Sequence, residues 1–178
     1  MSNSKRNNVN HHDDLQGEGV INRIREIVEK NRICFFVTHG LDRTSNDVRP
    51  MTVLDVDEEG KLWFISDHDS RKDQEVQHDS EVILCFQSPD QKEFLELQGQ
   101  ASISSDPNDI QRLWHPRMDK WFELGKNDPR ISVIAVAPSE GHYWDAQKGG
   151  LASGVRMLVG TFFLQNPQAE SIEGQLRI

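Results

Sequence analysis

The sequence contains few cysteines and no long hydrophobic run, and each shortage excludes a class of protein. Only Cys34 and Cys85 occur in 178 residues, both inside apolar segments typical of strands. Two such cysteines indicate reduced core residues rather than a disulfide framework. No run approaches the roughly 18 apolar residues of a membrane span, and the N-terminus has no apolar signal core. We therefore expect a cytoplasmic protein with neither an export signal nor a membrane segment.

Positive charge is also scarce. Lys and Arg total 20 against 29 Asp and Glu, which gives a formal net charge of −9. This balance argues against non-specific nucleic-acid binding and against docking on anionic membranes, because both need clustered positive charge. The histidines from His39 onwards are scattered without a paired ligand spacing, so we predict no metal site among them. A short N-terminal segment could still chelate a metal: His11, His12, Asp13 and Asp14.

The distribution of apolar residues divides the chain into three parts. Residues 1–16 are polar and lack periodicity, so we expect a disordered tail. Residues 17–165 are predicted to form a single domain, and residues 166–178 a polar C-terminal tail. Inside the domain, apolar residues recur at helical spacing from Val20 to Val28, which predicts an amphipathic helix ending near Asn31.

The remainder of the domain is rich in strand patterns. We predict about seven short strands and three helices. Eight segments show a strand pattern, and they are 33–39, 48–56, 61–66, 81–87, 93–104, 130–138, 140–146 and 155–164. The strands follow one another as in hairpins, which favours a mainly β fold, an antiparallel barrel or sandwich with flanking helices, over a parallel sheet. Pro50 lies inside a strand pattern and therefore marks an edge, a bulge or a barrel opening.

One stretch predicts an anion site. Ser70, Arg71 and Lys72 stand in a row where a helix covering 70–79 begins, and Asp73 follows at the spacing of a capping box. A helix N-terminus offers unpaired N–H groups and partial positive charge, while its dipole disfavours basic side chains. A phosphate between them would explain the arrangement. The alternative is that both cations are solvated and paired with Asp67, Asp69 or Asp73.

Several motifs in order resemble one family. They are "VRPMTV", "LWFISDHDSRKDQEV", "EFLELQGQASI", "LWHPRMDKWFELGKNDP" and "GHYWD". Together they resemble the general stress proteins of the pyridoxamine 5′-phosphate oxidase family, the FMN-binding split β-barrels, over roughly residues 20–163. The resemblance implies a homodimer with FMN at the subunit interface. FAD or a deazaflavin stays open as the alternative cofactor, because a phosphate anchor suits those as well.

The resemblance also implies which residues bind the cofactor. Arg49 is expected along the flavin and near its phosphate, and Trp144 is expected to approach from the other subunit. Phe94 stands where the oxidases carry a Gln that contacts the flavin. The other implied contacts are Pro50, Met51, Thr52, Ile65 and Ser66 along the ring system and Ser70, Arg71 and Lys72 at the phosphate.

Departures from the oxidases concern the substrate. Leu54 stands where the oxidases carry a Lys for the vitamin phosphate, and "GGLASGVRM" replaces their C-terminal Arg-Leu-His-Asp-Arg string. We therefore expect no useful oxidation of pyridoxamine 5′-phosphate, which the rate of pyridoxal phosphate formation would test. Trp114 and Trp121 are expected to pack within the segment 113–129, with lining the flavin pocket as the alternative. Three functions stay open: an FMN-dependent oxidoreductase, a non-catalytic flavin-binding or sensing protein, and a flavin-free dimeric interaction domain.

Overall fold

The computed structural model describes residues 15–16, 18–145 and 172–177. These residues form helices α1 (Glu18–Lys30), α2 (Arg71–His78) and α3 (Pro107–Leu113), and two short 3₁₀ helices, Pro116–Lys120 and Gly125–Asn127. The strands are β1 (Leu15–Gln16), β2 (Ile33–His39), β3 (Asn46–Thr52), β4 (Asp55–Val56), β5 (Leu62–Asp67), β6 (Glu81–Gln87), β7 (Glu93–Ser104), β8 (Ile131–Asp145) and β9 (Ile172–Arg177). None of the helices in these ranges has the length and apolar character needed to cross a membrane.

The strands form one curled, mostly antiparallel sheet. Along the sheet the order is β1-β9-β8-β7-β6-β2-β3, and β5 pairs with both β4 and β8. The first half of the long β8 therefore lies between β5 and β7, while its second half lies between β7 and β9. The prediction of a mainly β fold with antiparallel strands and three helices is confirmed.

The core lies on the concave side of this sheet, under α1. The α1 side chains Val20, Ile24, Ile27 and Val28 are buried, as their helical spacing predicts. They pack in one cluster with inward-facing side chains of the strands, including Phe36, Phe64, Leu84, Leu95 and Leu97. In β2, β5 and β6, buried residues alternate with more exposed ones because successive side chains point to opposite faces.

A second, smaller core forms under α3 and the first 3₁₀ helix. Asp106 caps α3 by accepting from the Asn108 N–H at 2.8 Å, and Pro107 follows it as predicted. Below these helices Ile110, Leu113, Met118, Phe122, Ile131 and Val133 form a buried cluster. This cluster attaches the segment 113–129 to the edge of the sheet near β5.

Two strand predictions differ from the structure. The two patterns at 130–138 and 140–146 are one continuous strand, β8, because both pair with β7, and Ser139 is an extra residue of β8 at the register shift opposite Gln98 and Gly99. A side chain at 99 would meet the Ala137 carbonyl oxygen at 2.5 Å, so only glycine fits there. The pattern at 48–56 is two strands, separated by the fully buried Val53. The predicted strand at 155–164 lies outside the described residues.

The ends of the described chain add two short strands. β1 falls within residues 1–16 and β9 within residues 166–178, where the sequence predicts only tails. They pair in parallel with each other, and β9 pairs with β8 from Asp145 back to Glu140. β1 has only two residues, too few to form a strand pattern, so its pairing is decided by the neighbouring strand rather than by local sequence.

Candidate functional site

A cavity of about 460 Å³ lies where β3, β5 and the start of α2 meet the segment 116–122. It brings together seven of the residues that the resemblance implies for a flavin: Pro50, Met51, Thr52, Ile65, Ser66, Ser70 and Lys72. Three separate elements of one chain supply these residues. The strands hold their side chains in set directions, and the helix start places polar groups at one end of the cavity.

Ser70 caps the N-terminus of α2, as the sequence predicts. Its backbone is extended, with φ −67° and ψ 146°, and its Oγ accepts from the Asp73 N–H at 3.3 Å. The Ser70 N–H itself donates to the Asp67 carbonyl at 2.9 Å. The Asp73 carboxylate accepts from Ser70 Oγ at 3.0 Å instead of completing a reciprocal capping box. The Asp73 carboxylate therefore does not bind the Ser70 N–H, and it forms an ion pair with Lys72 instead.

Lys72 lines the cavity and has a buried counter-ion, Asp73. Its Nζ lies 3.0 Å from Asp73 Oδ1 and 3.2 Å from Ser70 Oγ, and it also contacts Ser66 Oγ. Asp73 accepts from the Ser66 and Ser132 hydroxyls, each at 2.5 Å. Burial raises the pKa of Asp73, but the hydrogen bonds from Ser132 and Ser66 and the Lys72 charge outweigh burial and lower it. The pair of Lys72 with a nearby Asp is the alternative that the sequence left open.

Glu75 joins two arginines beside this pair. Its buried carboxylate accepts from Thr38 Oγ1 at 2.6 Å, Arg49 Nη2 at 2.8 Å and Arg71 Nε at 2.8 Å. Burial raises the pKa of Glu75, but these hydrogen bonds outweigh burial and bring it to about 2. Arg71 Nη2 also lies 3.0 Å from Asp47 Oδ2. The neighbouring Glu75 carboxylate raises the pKa of Asp47.

We call these six residues the α2 cluster: Asp47, Arg49, Arg71, Lys72, Asp73 and Glu75. Three cations face three carboxylates, so the formal charge of the α2 cluster is zero. One donor is left over. In the described part of the chain, Arg49 Nη1 is the only buried side-chain nitrogen or oxygen without a hydrogen-bond partner. A buried guanidinium N–H without a partner is costly, and an anion would satisfy it.

The α2 cluster and the cavity therefore fit the phosphate end of a nucleotide cofactor. Arg49 adjoins the cavity in sequence, since the next residue, Pro50, lines it, although Arg49 itself does not. Arg71 is two-thirds exposed and has N–H groups that can turn to a ligand. Lys72 is already at the cavity wall. Of the predicted phosphate residues, Ser70 and Lys72 line the polar end of the cavity, whereas Arg49 and Arg71 do not line it and are held by Glu75.

The other end of the cavity is apolar, and the sequence did not identify most of it. Met118, Trp121 and Phe122 form one wall, and Leu54 contributes to the lining as well. The expectation that Trp121 packs within its own segment is wrong, because its side chain is 67% exposed and lines the cavity. Trp114 does pack, with its ring 5.9 Å from that of Phe122. The two Trp residues in "LWHPRMDKWF" were the available signal, but their spacing does not tell which one faces the cavity.

Phe94 and Trp144 lie elsewhere in the chain. They pair directly across β7 and β8, and the Trp144 ring stacks on His142 with centroids 6.2 Å apart. Neither lines the cavity of its own chain. Their role at a flavin stays a prediction, since the resemblance implies that Trp144 acts from the partner subunit.

A second group of polar residues lies at the C-terminal end of β2, which is the end away from Phe35 and the cavity. The potential metal ligands His39, Asp79 and Glu81 have ligand atoms within 4.8 Å of one another. Asp79 is engaged, however, because it pairs with His39 Nδ1 at 3.0 Å and with Arg43 Nη2 at 2.6 Å. A hydrogen bond from the Glu81 N–H, with those from His39 and Arg43, lowers the pKa of Asp79 to about 2. A smaller cavity of about 250 Å³ adjoins His39 and Glu81 and contains none of the predicted flavin residues.

Comparison with known families gives one match that covers most of the chain. The model of a family described as pyridoxamine 5′-phosphate oxidase like matches residues 20–167. Among curated proteins, the protein bli-3 of Neurospora crassa is 26% identical over 90 residues. That match spans 46% of this chain and 43% of the fungal protein, so it covers less than half of either.

Solved structures show the same fold. A protein related to general stress protein 26 from Clostridium acetobutylicum is 22% identical and has a TM-score of 0.62, with 72% of this chain and 90% of that chain covered. A general stress FMN/FAD binding protein from Xanthomonas citri is 23% identical and has a TM-score of 0.64, with 76% and 95% covered. At these identities the likeness shows the fold, and the predicted split barrel is confirmed.

Proposed function

Because the chain belongs to the pyridoxamine 5′-phosphate oxidase-like family, we propose that it is a general stress protein that binds FMN and acts as a flavin-dependent oxidoreductase. One observation carries the proposal. A buried arginine donor without a partner, Arg49 Nη1, belongs to the α2 cluster, whose Lys72 lines a cavity that is polar at one end and apolar at the other. FMN has the same division, with a phosphate at one end and a flat ring system at the other.

The residues divide between the two ends of the cofactor. Lys72, Ser66 and Ser70 would bind the phosphate at the cavity wall, with Arg49 and Arg71 completing the charge. Pro50, Met51, Thr52 and Ile65 would line the ring system. FMN, when bound, supplies hydride and single-electron transfer, and the protein supplies its position and exclusion of water. Leu54 lines the cavity without charge, which supports a substrate other than pyridoxamine 5′-phosphate.

The experiment that tests the cofactor is its release from purified protein and identification by mass spectrometry. We expect FMN. Release of FAD or a deazaflavin would change the cofactor and keep the site, whereas protein that neither carries nor takes up any flavin would overturn the proposal. Bleaching of the bound flavin by NAD(P)H without oxygen would separate an oxidoreductase from the alternative, a protein that only sequesters or senses flavin.

We also propose that the protein is a homodimer. Three side chains form an outer patch on β2 and β3: Ile33, Phe35 and Val48, exposed by 56%, 59% and 58%. Phe35 lies opposite Pro50, which lines the cavity, so the outer patch continues to the rim of the candidate site. Large exposed apolar side chains grouped on one sheet face are typical of an interface. A second copy on this face would explain how Trp144 of a partner could reach the flavin.

The dimer can be tested with a charge in the outer patch. Phe35→Glu should convert a parent dimer into a monomer in sedimentation, because it buries a carboxylate without a partner in the interface. Leu124→Glu is the matched control, since Leu124 is 66% exposed outside the outer patch. A parent protein that sediments as a monomer and binds FMN with full affinity would contradict the proposal.

A cytoplasmic location belongs to the proposal too. Cys34 and Cys85 are free thiols, and burial raises the pKa of Cys34 to about 12, which keeps it protonated and unreactive. Neither cysteine is arranged for a structural disulfide, as suits a reducing compartment. Fractionation of cells that express the protein at native level would test the location, and recovery outside the cytoplasm would contradict it.

A further inference from the structure

Trp121 combines an exposed ring with a backbone that is held in place. Its indole side chain is 67% exposed, while Trp114 seven residues earlier packs on the buried Phe122. The Trp121 N–H donates to the Met118 carbonyl at 2.9 Å, and Arg130 Nη2 donates to the Trp121 carbonyl at 3.4 Å. Hydrogen bonds on both its N–H and its carbonyl therefore hold the Trp121 backbone in place, although its ring is not buried in the core.

Arg130 connects the apolar wall of the cavity, which contains Trp121 and Phe122, to the polar end of the site. It pairs with Asp128 at 2.9 Å and lies over the Phe122 ring, 5.9 Å from the centroid. Its Nη1 is also 3.6 Å from Asp67, a lining residue of the cavity. Phe122 is only 6% exposed and also lines the cavity, so Trp121 extends from a rigid base.

The composition of the cavity tells what Trp121 faces. Among the residues that the structure describes, the charged ones that line the cavity are Asp67 and Lys72, which belong to the β5–α2 end. On the other side Trp121 stands with Met118 and Phe122, and Leu54 and Ile65 complete an apolar lining. An apolar slot bounded by an aromatic face binds flat, uncharged ring systems, because stacking and burial add to each other.

From this arrangement we propose that Trp121 is a ligand-contacting residue that stacks on the aromatic ring system of the bound cofactor and sets the affinity of the site for that ring. The inference rests on the proposed function, since it takes the ring to be that of a flavin. It assigns to the segment 116–122 a binding role that is independent of the phosphate contacts in the α2 cluster. Arg130 is a positioning residue, which acts through the Trp121 carbonyl and the Phe122 ring.

The test compares FMN with riboflavin, which has the same ring and no phosphate. Trp121→Ala should weaken the binding of both ligands by the same factor, about three- to tenfold, because stacking does not involve the phosphate. Trp121→Phe should restore most of the affinity, since it keeps an aromatic face. The fluorescence of bound flavin should be quenched in the parent and partly recovered in Trp121→Ala. Trp114→Phe is the matched control and should leave the flavin fluorescence unchanged.

The outcomes separate the inference from the proposed function. If the parent binds flavin and Trp121→Ala binds FMN and riboflavin as the parent does, the inference is wrong and the proposed function stands. If Trp121→Ala becomes monomeric in sedimentation and loses affinity only for that reason, Trp121 is covered by a partner subunit, and the inference is again wrong. If the parent binds neither flavin, both fail. Circular dichroism of Trp121→Ala checks that its loss of affinity is not a loss of fold.

Discussion

Two buried groups of ion pairs in the described chain use the same chemistry for different purposes. The sheet-end cluster consists of Arg23, Lys30, Glu93 and Asp145, and joins α1 to β7 and β8. Arg23 Nη2 lies 2.9 Å from Asp145 and 3.2 Å from Glu93, and Lys30 Nζ lies 2.5 Å from Glu93. Like the α2 cluster, it balances cations with carboxylates, here two with two.

The two clusters differ in whether every buried hydrogen-bonding group has a partner. The sheet-end cluster contains no buried side-chain donor or acceptor without a partner, and its residues do not line the 460 Å³ cavity. The α2 cluster adjoins that cavity and leaves Arg49 Nη1 without a partner. A buried ion pair is therefore weak evidence for function by itself, because pairing is needed wherever charge is buried. An unsatisfied buried donor in a cluster that also lines a cavity is the feature that points to a ligand.

The largest expected effect is on stability, in the sheet-end cluster. Arg23→Met leaves the carboxylates of Glu93 and Asp145 close together with Lys30 as their remaining cation. Removal of one partner from a buried ion pair costs about 3–5 kcal/mol, so the free energy of unfolding should fall by that amount in urea titrations. Glu26→Gln removes the exposed partner of Arg23 and should cost no more than about 1 kcal/mol.

For Arg23→Met, flavin affinity should contrast with stability. Arg23→Met should leave the affinity for FMN unchanged under conditions where it is folded, since the sheet-end cluster does not adjoin the cavity. A large loss of FMN affinity in folded Arg23→Met would remove the distinction between the two clusters.

The next effect is on phosphate recognition, in the α2 cluster. Arg49→Gln removes the unpaired donor and leaves Glu75 with Thr38 and Arg71. A charge-assisted hydrogen bond contributes about 1.5–3 kcal/mol, so FMN should bind roughly ten- to 150-fold more weakly while riboflavin binds as before. Isothermal titration of both ligands measures this. Arg43→Gln is the control, because Arg43 pairs with Asp79 away from the cavity.

Lys72→Ala should, like Arg49→Gln, weaken the binding of FMN more than that of riboflavin, and it should also affect stability. It also leaves the fully buried Asp73 without its cation, so part of its effect will be a loss of stability. Equal binding of FMN and riboflavin by both variants would show that the α2 cluster does not hold the phosphate.

The smallest effect is on acid stability. The pKa of Glu75 is lowered to about 2 from an ordinary value of 4.5, so Glu75 stabilises the fold above about pH 4.5. This contribution is lost as the pH falls through about 2. Glu75→Gln should therefore lose less stability than the parent across this range, which urea midpoints at several pH values would measure. Parallel pH profiles of parent and variant would show that Glu75 is not held as an ion pair.

Much of the fold is predictable from local pattern. The helix at Val20 to Val28, the cap at Ser70 and the strands on either side depend on residue spacing within one element, so they can be identified without knowledge of the rest of the chain. The prediction fails where a distant strand decides the result. Two predicted strands are one because both halves of β8 pair with β7, on either side of the extra residue Ser139; Gly99 of β7 lies opposite Pro138, 39 positions before it in sequence.

The sequence by itself determined the elements, the excess of acidic residues and the row Ser70, Arg71 and Lys72 that predicts an anion site. Only the tertiary structure decided that Glu75 reaches Thr38 and Arg49, which are 37 and 26 positions away in sequence. It also decided that Trp121 lines the cavity while Trp114 packs. The physical reason is that helices and strands follow short-range periodicity, whereas ion pairing, burial and the position of a cavity depend on which distant segments meet.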